Sequence, residues 1–156
     1  MVTSHNSPPK HSNRPFLILF SIITATIIIL DQLLKYLILT LHPQKDFGWV
    51  YIHLITNTGA GFGILAGQTI WLAMVSFFVA IGLIYYYRYI PQQRTIQLLF
   101  ALFLGGVIGN FIDRAFRGYV IDFIDFKWWP AFNLADAVLT ISAIGLVIYY
   151  WHDEEE

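Results

Sequence analysis

Cysteine is absent from the 156 residues, which removes thiol nucleophiles, disulfides and thiolate-held metals from consideration. Charge is scarce as well. Asp, Glu, Lys and Arg make up 12% of the chain, and the net charge is −1 with the basic residues scattered, so no nucleic-acid partner is suggested. The five histidines are His5, His11, His42, His53 and His152, and none belongs to an H-E-x-x-H pair, which argues against a zinc site. Ser21, Ser76 and Ser142 lie within long apolar runs, and no G-x-S-x-G occurs, so serine-histidine catalysis lacks its parts. Carboxylates are what this inventory leaves for chemistry.

What the chain has in abundance is apolar surface: 57% hydrophobic residues, 17% aromatic residues and a mean hydropathy of +0.61. A membrane span needs roughly 20 apolar residues. Four stretches qualify, at about 16–41, 68–90, 95–112 and 133–151. The expectation is a membrane all-α protein: a four-transmembrane-helix bundle with a small β-like extracytoplasmic cradle between helices 1 and 2. Residues 1–15, with three prolines and no apolar pattern, read as a disordered cytoplasmic tail. Residues 16–151 read as a single membrane-embedded domain, and 152–156 as an acidic tail. The first span is too long for a signal-sequence core, and "LILTLHPQ" offers no cleavage site, so a retained helix is expected.

Arg88 and Arg94 flank the short second connection, and Lys10 and Arg14 lie in the tail, which places both on the cytoplasmic side by the positive-inside rule. Lys45, Arg114, Arg117 and Lys127 on the other side blunt that signal. The two outward segments are aromatic. "GWVYIHLITNTG" reads as a strand closing on a turn, "GYVIDFIDFKWW" reads similarly, and both suit the headgroup level.

Several polar residues sit where lipid ought to exclude them. Asp31 and Lys35 share one face of the first helix, either as an ion pair that sets the helix at the interface or as groups that act on a ligand. Asn110, Asp113, Arg114 and Arg117 form one stripe at the end of the third span, beside a Gly105–Gly109 packing face. "NTGAGFG", residues 57–63, lacks the Lys-Ser/Thr of a phosphate loop and reads as a turn through which backbone approaches a ligand.

Asp122 and Asp136 lie 14 residues apart, with Trp128, Trp129 and Pro130 at a corner between them. Folding at that corner would bring the acids together. Asp136 alone is also explicable as a carboxylate favoured by a helix N-terminus. Two adjacent carboxyls share a proton, and such a pair can activate water against a peptide carbonyl without metal or covalent intermediate.

The blocks "DQLLK" (31–35), "NTGAGFG" (57–63), "GGVIGNFIDR" (105–114), "GYVIDF" (118–123) and "FNLAD" (132–136), in this order on a four-span profile, resemble the lipoprotein signal peptidases, or signal peptidase II, the aspartyl peptidases of family A8. The resemblance implies an intramembrane aspartic endopeptidase of the bacterial inner membrane, with both termini cytoplasmic and its site near the outer leaflet. It implies diacylglyceryl-modified prolipoproteins as substrates, cut before the lipidated cysteine, with membrane lipid as surroundings and no cofactor; a monomer is the expectation for the chain itself. By motif match Asp122 and Asp136 would be the catalytic pair, and Asp31, Lys35, Asn57, Gly63, Asn110, Arg114 and Asn133 would bind substrate or support the site. Leu34, Gly61 and Ala137 depart from the residues common in the family. Asp125 is the rival to Asp122, whose Val-x-Asp-Phe setting fits the family better.

Two other classes stay open on residues alone. A proton-coupled transporter would relay through Asp31, Lys35, Arg114 and Asp136. A lipid-binding assembly protein would need neither carboxylate for catalysis.

Overall fold

The structure, a computed structural model, describes residues 14–60 and 64–153. The expected tail therefore lies outside the described residues except for Arg14 and Pro15, which already belong to a helix. Of the acidic tail, residues 154–156 lie outside them too. The elements run α1 (Arg14–Leu41), β1 (Lys45–Asp46), β2 (Tyr51–Asn57), α2 (Thr69–Tyr86), a 3-10 turn (Tyr87–Tyr89), α3 (Arg94–Phe116), β3 (Val120–Asp125) and α4 (Leu134–Asp153).

The four helices are long and apolar enough to cross a membrane. Half of α3's apolar span is buried, against 17% for each of the others, so α3 is the hub on which α1, α2 and α4 pack. Its position follows from small residues. A Cβ at Gly105 would stand 2.8 Å from the Ile27 side chain, and one at Gly106 would stand 2.6 Å from the Ala135 carbonyl oxygen. Helices meet this closely only where side chains are missing. Outward from the bundle the surface is apolar, with Ile18, Ile22, Ile29, Ile70, Phe78 and Ile141 exposed, as a lipid-facing surface requires.

α3 runs four residues past the expected end at Ile112. Asp113 and Arg114 read as charges that leave the membrane, yet Asp113 is buried among polar partners and so has no need to end the helix. The helix stops at Arg117, and Gly118 takes the left-handed φ of +78° that turns the chain away. α2 in turn ends earlier than expected, at Tyr86, before its 3-10 turn.

The three strands form an antiparallel sheet in the order β1-β2-β3. The expected cradle between helices 1 and 2 thus takes its third strand from the connection between helices 3 and 4. Both connections are at the same end of the bundle. Ile121 and Phe123 of β3 pack on Ile38 of α1 beneath the sheet, while a second core, Phe20, Ala80, Ile90, Ile96, Ala101, Leu104 and Val107, fills the opposite end. β3 continues through the Trp128–Trp129 corner and returns, with Phe132 N–H donating to Ile124 O at 3.0 Å and Phe123 N–H to Phe132 O at 3.1 Å. That return delivers Asn133 and α4 to the strand's side.

Gly106→Ala should destabilise the fold by about 1–3 kcal/mol, the usual cost of overpacking. Gly82→Ala, where a Cβ meets nothing within 4 Å, should be neutral or stabilising. Thermal unfolding in detergent distinguishes the two.

Candidate active site

Asn133 is the residue before α4, and its side chain works in three directions. Its Oδ1 accepts the Asp136 N–H at 2.9 Å, and the Asp136 Oδ2 accepts the Asn133 N–H in return at 3.3 Å. This is a capping box, in which the first and fourth residues satisfy each other's orphan donors. The Asn133 amide then gives its two protons away, to Asp122 Oδ1 at 2.8 Å and to Asn110 Oδ1 at 3.1 Å. One fully buried amide thereby touches both candidate acids. Asn110 closes the ring by donating to Asp136 Oδ1 at 2.7 Å, and Asn57 at the end of β2 donates to Asp122 Oδ2 at 2.9 Å.

Behind the acids lies a cluster centred on the fully buried Lys35, Asp31 and Asp113. Lys35 Nζ is 2.8 Å from Asp31 Oδ2, 2.9 Å from Asp113 Oδ2 and 3.1 Å from Asn110 Oδ1. An ammonium has three protons, and all three are used. Asp31 Oδ1 accepts the Ala135 N–H at 3.0 Å, which satisfies a second orphan donor of α4, and Asp113 Oδ2 accepts the Ile121 N–H of β3 at 3.0 Å. Gln32 Nε2 reaches Asp31, Asp113 and the Gly109 carbonyl, while Arg117 binds Asp113 and Gln32 Oε1. Two cations face two carboxylates, so the buried cluster is formally neutral. Of the two readings for Asp31 and Lys35, the structure displays the ion pair.

The stripe on α3 divides accordingly. Asn110 and Asp113 turn to the cluster, whereas Arg114 points to the other side and donates from Nη2 to the Gly59 carbonyl at 3.3 Å. Its Nε is buried and, among the described residues, has no hydrogen-bond partner. Gly63 lies outside the described residues. Gln32, and Asp113 as a bridge to β3, are not among the site residues expected from sequence. Their signal is weak, since Gln32 is distinguished only by standing next to Asp31.

Asp122 and Asp125, three apart on a strand, occupy opposite environments. Asp125 is partly exposed and pairs with His53 Nε2 at 3.1 Å; the Lys127 N–H and the His53 ring hold its pKa below the usual carboxylate value. Asp122 is buried, and desolvation together with the charge of Asp136 pushes its pKa up to about 6, even though Asn57 and Asn133 favour its ionised form.

Two cavities meet at the acids. The larger, of about 430 Å³, is mostly apolar and bounded by Asp136, Arg114, Trp129, Ala137, Leu139 and Ile141. The smaller, of about 260 Å³, has mixed polarity and is bounded by Asp122, Ile55, Thr56, Thr58, Gly59 and Ala66. Asn57, Ala60, Pro130 and Ala131 belong to both walls.

Residues 23–152 match the family model described as signal peptidase (SPase) II. The chain belongs to the signal peptidase II family. It is 41% identical over 146 residues to a lipoprotein signal peptidase of Moorella thermoacetica, which covers 88% of this chain and 91% of that one. A lipoprotein signal peptidase of Bacillus velezensis is 39% identical over 149 residues, covering 86% and 95%. Among solved structures, a bacterial membrane enzyme at 31% identity superposes with a TM-score of 0.82 over 89% of this chain and 91% of that one. A second reaches 0.77 over 86% and 94%.

Lys35→Met would leave two buried carboxylates facing each other without their shared cation, and should cost about 3–5 kcal/mol of stability. A second expectation concerns pH. Between pH 3.8 and about 6 the folded protein keeps the Asp122 proton while the unfolded chain releases it, so stability falls as pH rises through that window. The loss is on the order of 3 kcal/mol. Unfolding measured in detergent from pH 3.5 to 7 should lose this component of slope in Asp122→Asn.

Proposed function

We propose that this signal peptidase II removes signal peptides from prolipoproteins with Asp122 and Asp136 as its catalytic pair, cutting before a diacylglyceryl-modified cysteine. The observation that carries the proposal is the capping box at Asn133–Asp136, whose asparagine also grips Asp122, at the junction of an apolar and a mixed-polarity cavity. A lipidated substrate needs both environments at once, because its acyl chains stay in lipid while its scissile bond meets water.

The pair shares one proton, and in the proposed mechanism Asp122 carries it. Asp136 acts as the ionised partner at the N-terminus of α4, where its carboxylate accepts from the Asn110 amide and the Asn133 N–H. Asp136 takes a proton from a water molecule, the resulting oxygen nucleophile attacks the scissile carbonyl carbon, and Asp122 delivers its proton to the carbonyl oxygen. The tetrahedral intermediate then collapses as the amine leaves with a proton from Asp136 and the hydroxyl proton returns to Asp122, which restores the pair. Arg114 lines the apolar cavity, its Nε is buried and without a partner among the described residues, and it offers a donor to a substrate carbonyl.

Asp31, Lys35, Asn57, Asn110 and Asn133 hold the pair in place. The sheet end of the bundle faces outward across the inner membrane, both termini are cytoplasmic, and the enzyme acts as a monomer surrounded by lipid. A proton relay through Lys35 is disfavoured because its three protons are all bound.

Asp122→Asn and Asp136→Asn should each lower cleavage of a diacylated prolipoprotein by roughly 10²- to 10⁴-fold, the usual share of acid–base catalysis. Asp125→Asn should remain active. Cleavage by purified variants, with membrane insertion checked separately, tests the assignment; an inactive Asp125 variant beside an active Asp122 variant overturns it.

A further inference from the structure

Among the described residues, the sheet has one edge left open next to the acids. β1 pairs with β2 only at Lys45–Ile52 and Asp46–Tyr51. Continuing that register would set Pro43 opposite Leu54, and proline has no N–H to give to the ladder. Beyond that point Ile55, Thr56 and Asn57 have β3 on one side and, among the described residues, no strand on the other. β3 differs, because its far edge is occupied by Phe132, which bonds to Phe123 and Ile124, and by the Asp113 carboxylate on the Ile121 N–H.

Open edges attract extended chains, and proteins usually guard them with charge, proline or a covering segment. Ile55–Asn57 is uncharged and contains no proline, and the register irregularity between Ile52 and Ile55 lies before it. The same three residues form part of the cavity against Asp122, and Ile55 is the register partner of Asp122 itself. A polypeptide that leaves the acids on the Asp122 side therefore meets this edge at once.

We infer that the substrate's polypeptide beyond the modified cysteine binds as an added strand along the open edge of β2 at Ile55–Asn57. The inference rests on the proposed peptidase reading and names what holds the mature side of the substrate. That part is the occupant because it is the one portion of a lipidated precursor that lies in water, and the cavity leading to this edge has mixed polarity while the other is apolar. An added strand would lie about 4.8 Å from β2 and bond to it through backbone groups alone. Such binding accepts many sequences, since side chains at the edge alternate away from the ladder.

The two modes of peptide binding differ in periodicity. In a ladder every second residue turns its N–H toward the neighbouring strand, so the need for N–H groups repeats with a period of two. The test is an ester scan: diacylated peptide substrates in which single amides at the second to sixth residues after the cysteine are replaced by esters, which deletes one N–H without adding bulk. All changes lie in the substrate, so folding of the enzyme is not at issue. Expected is a KM raised roughly three- to tenfold at alternate positions, corresponding to one lost hydrogen bond each, with kcat unchanged. Shortening the substrate to end at the second residue should raise KM at least as much. Equal KM values throughout the scan, or effects without alternation, overturn the edge inference while cleavage itself upholds the peptidase reading. Failure to cleave any of the peptides, the unmodified one included, overturns both.

Discussion

The ammonium of Lys35 ends on three buried oxygens, one each from Asp31, Asp113 and Asn110, and the rest of the site hangs from those bonds. Each of these three residues does a second task. Asp31 accepts a backbone N–H at the start of α4, Asp113 accepts one from β3, and Asn110 binds both Asp136 and Asn133. A cation that is out of reach of water must be matched completely, and the matching ties together α1, α3, α4 and β3.

That constraint explains why the two proposed catalytic acids come from different kinds of element. β3 carries Asp122 and is fixed by Asp113; α4 carries Asp136 and is fixed by Asp31 and Asn133. Neither acid contacts Lys35 directly. The ammonium is spent on structure and acts on Asp122 only as a nearby charge, beside burial, the asparagine amides and the other acid. Hence Asp122 can hold a proton up to about pH 6, whereas Asp125, three residues on and paired with His53, is kept ionised. The proposed division of the surroundings is equally simple, with lipid-compatible walls on the Asp136 side and mixed polarity with an open strand edge on the Asp122 side.

Much of this is legible in the amino-acid sequence. Four apolar runs set four helices, because lipid leaves the backbone no other partner than itself. Both longer strands follow from alternation and turn residues, and the corner at Trp128–Trp129 allows Asp122 and Asp136 to approach without fixing that they do. The capping box is written in Asn133-x-x-Asp136, although a favourable helix dipole suffices to account for Asp136 on residues alone. The end of α3 lies beyond the expected one for a definite reason: charge at positions 113 and 114 signals exit from lipid unless a buried partner exists, and Lys35 is far away in sequence.

The sequence by itself determined the spans, the residue types available for chemistry and the family to which the chain belongs, since each depends on composition or on short motifs. The tertiary structure decided which polar residues face which. It separated Arg114 from Asp113 although they are neighbours, joined Gln32 to Arg117 across two helices, and left Ile55–Asn57 without a strand beside it among the described residues on the side away from β3. The physical reason is that a hydrogen bond requires its two groups within about 3 Å, and only the packing of α1, α4 and the sheet around α3 brings residues distant in sequence that close.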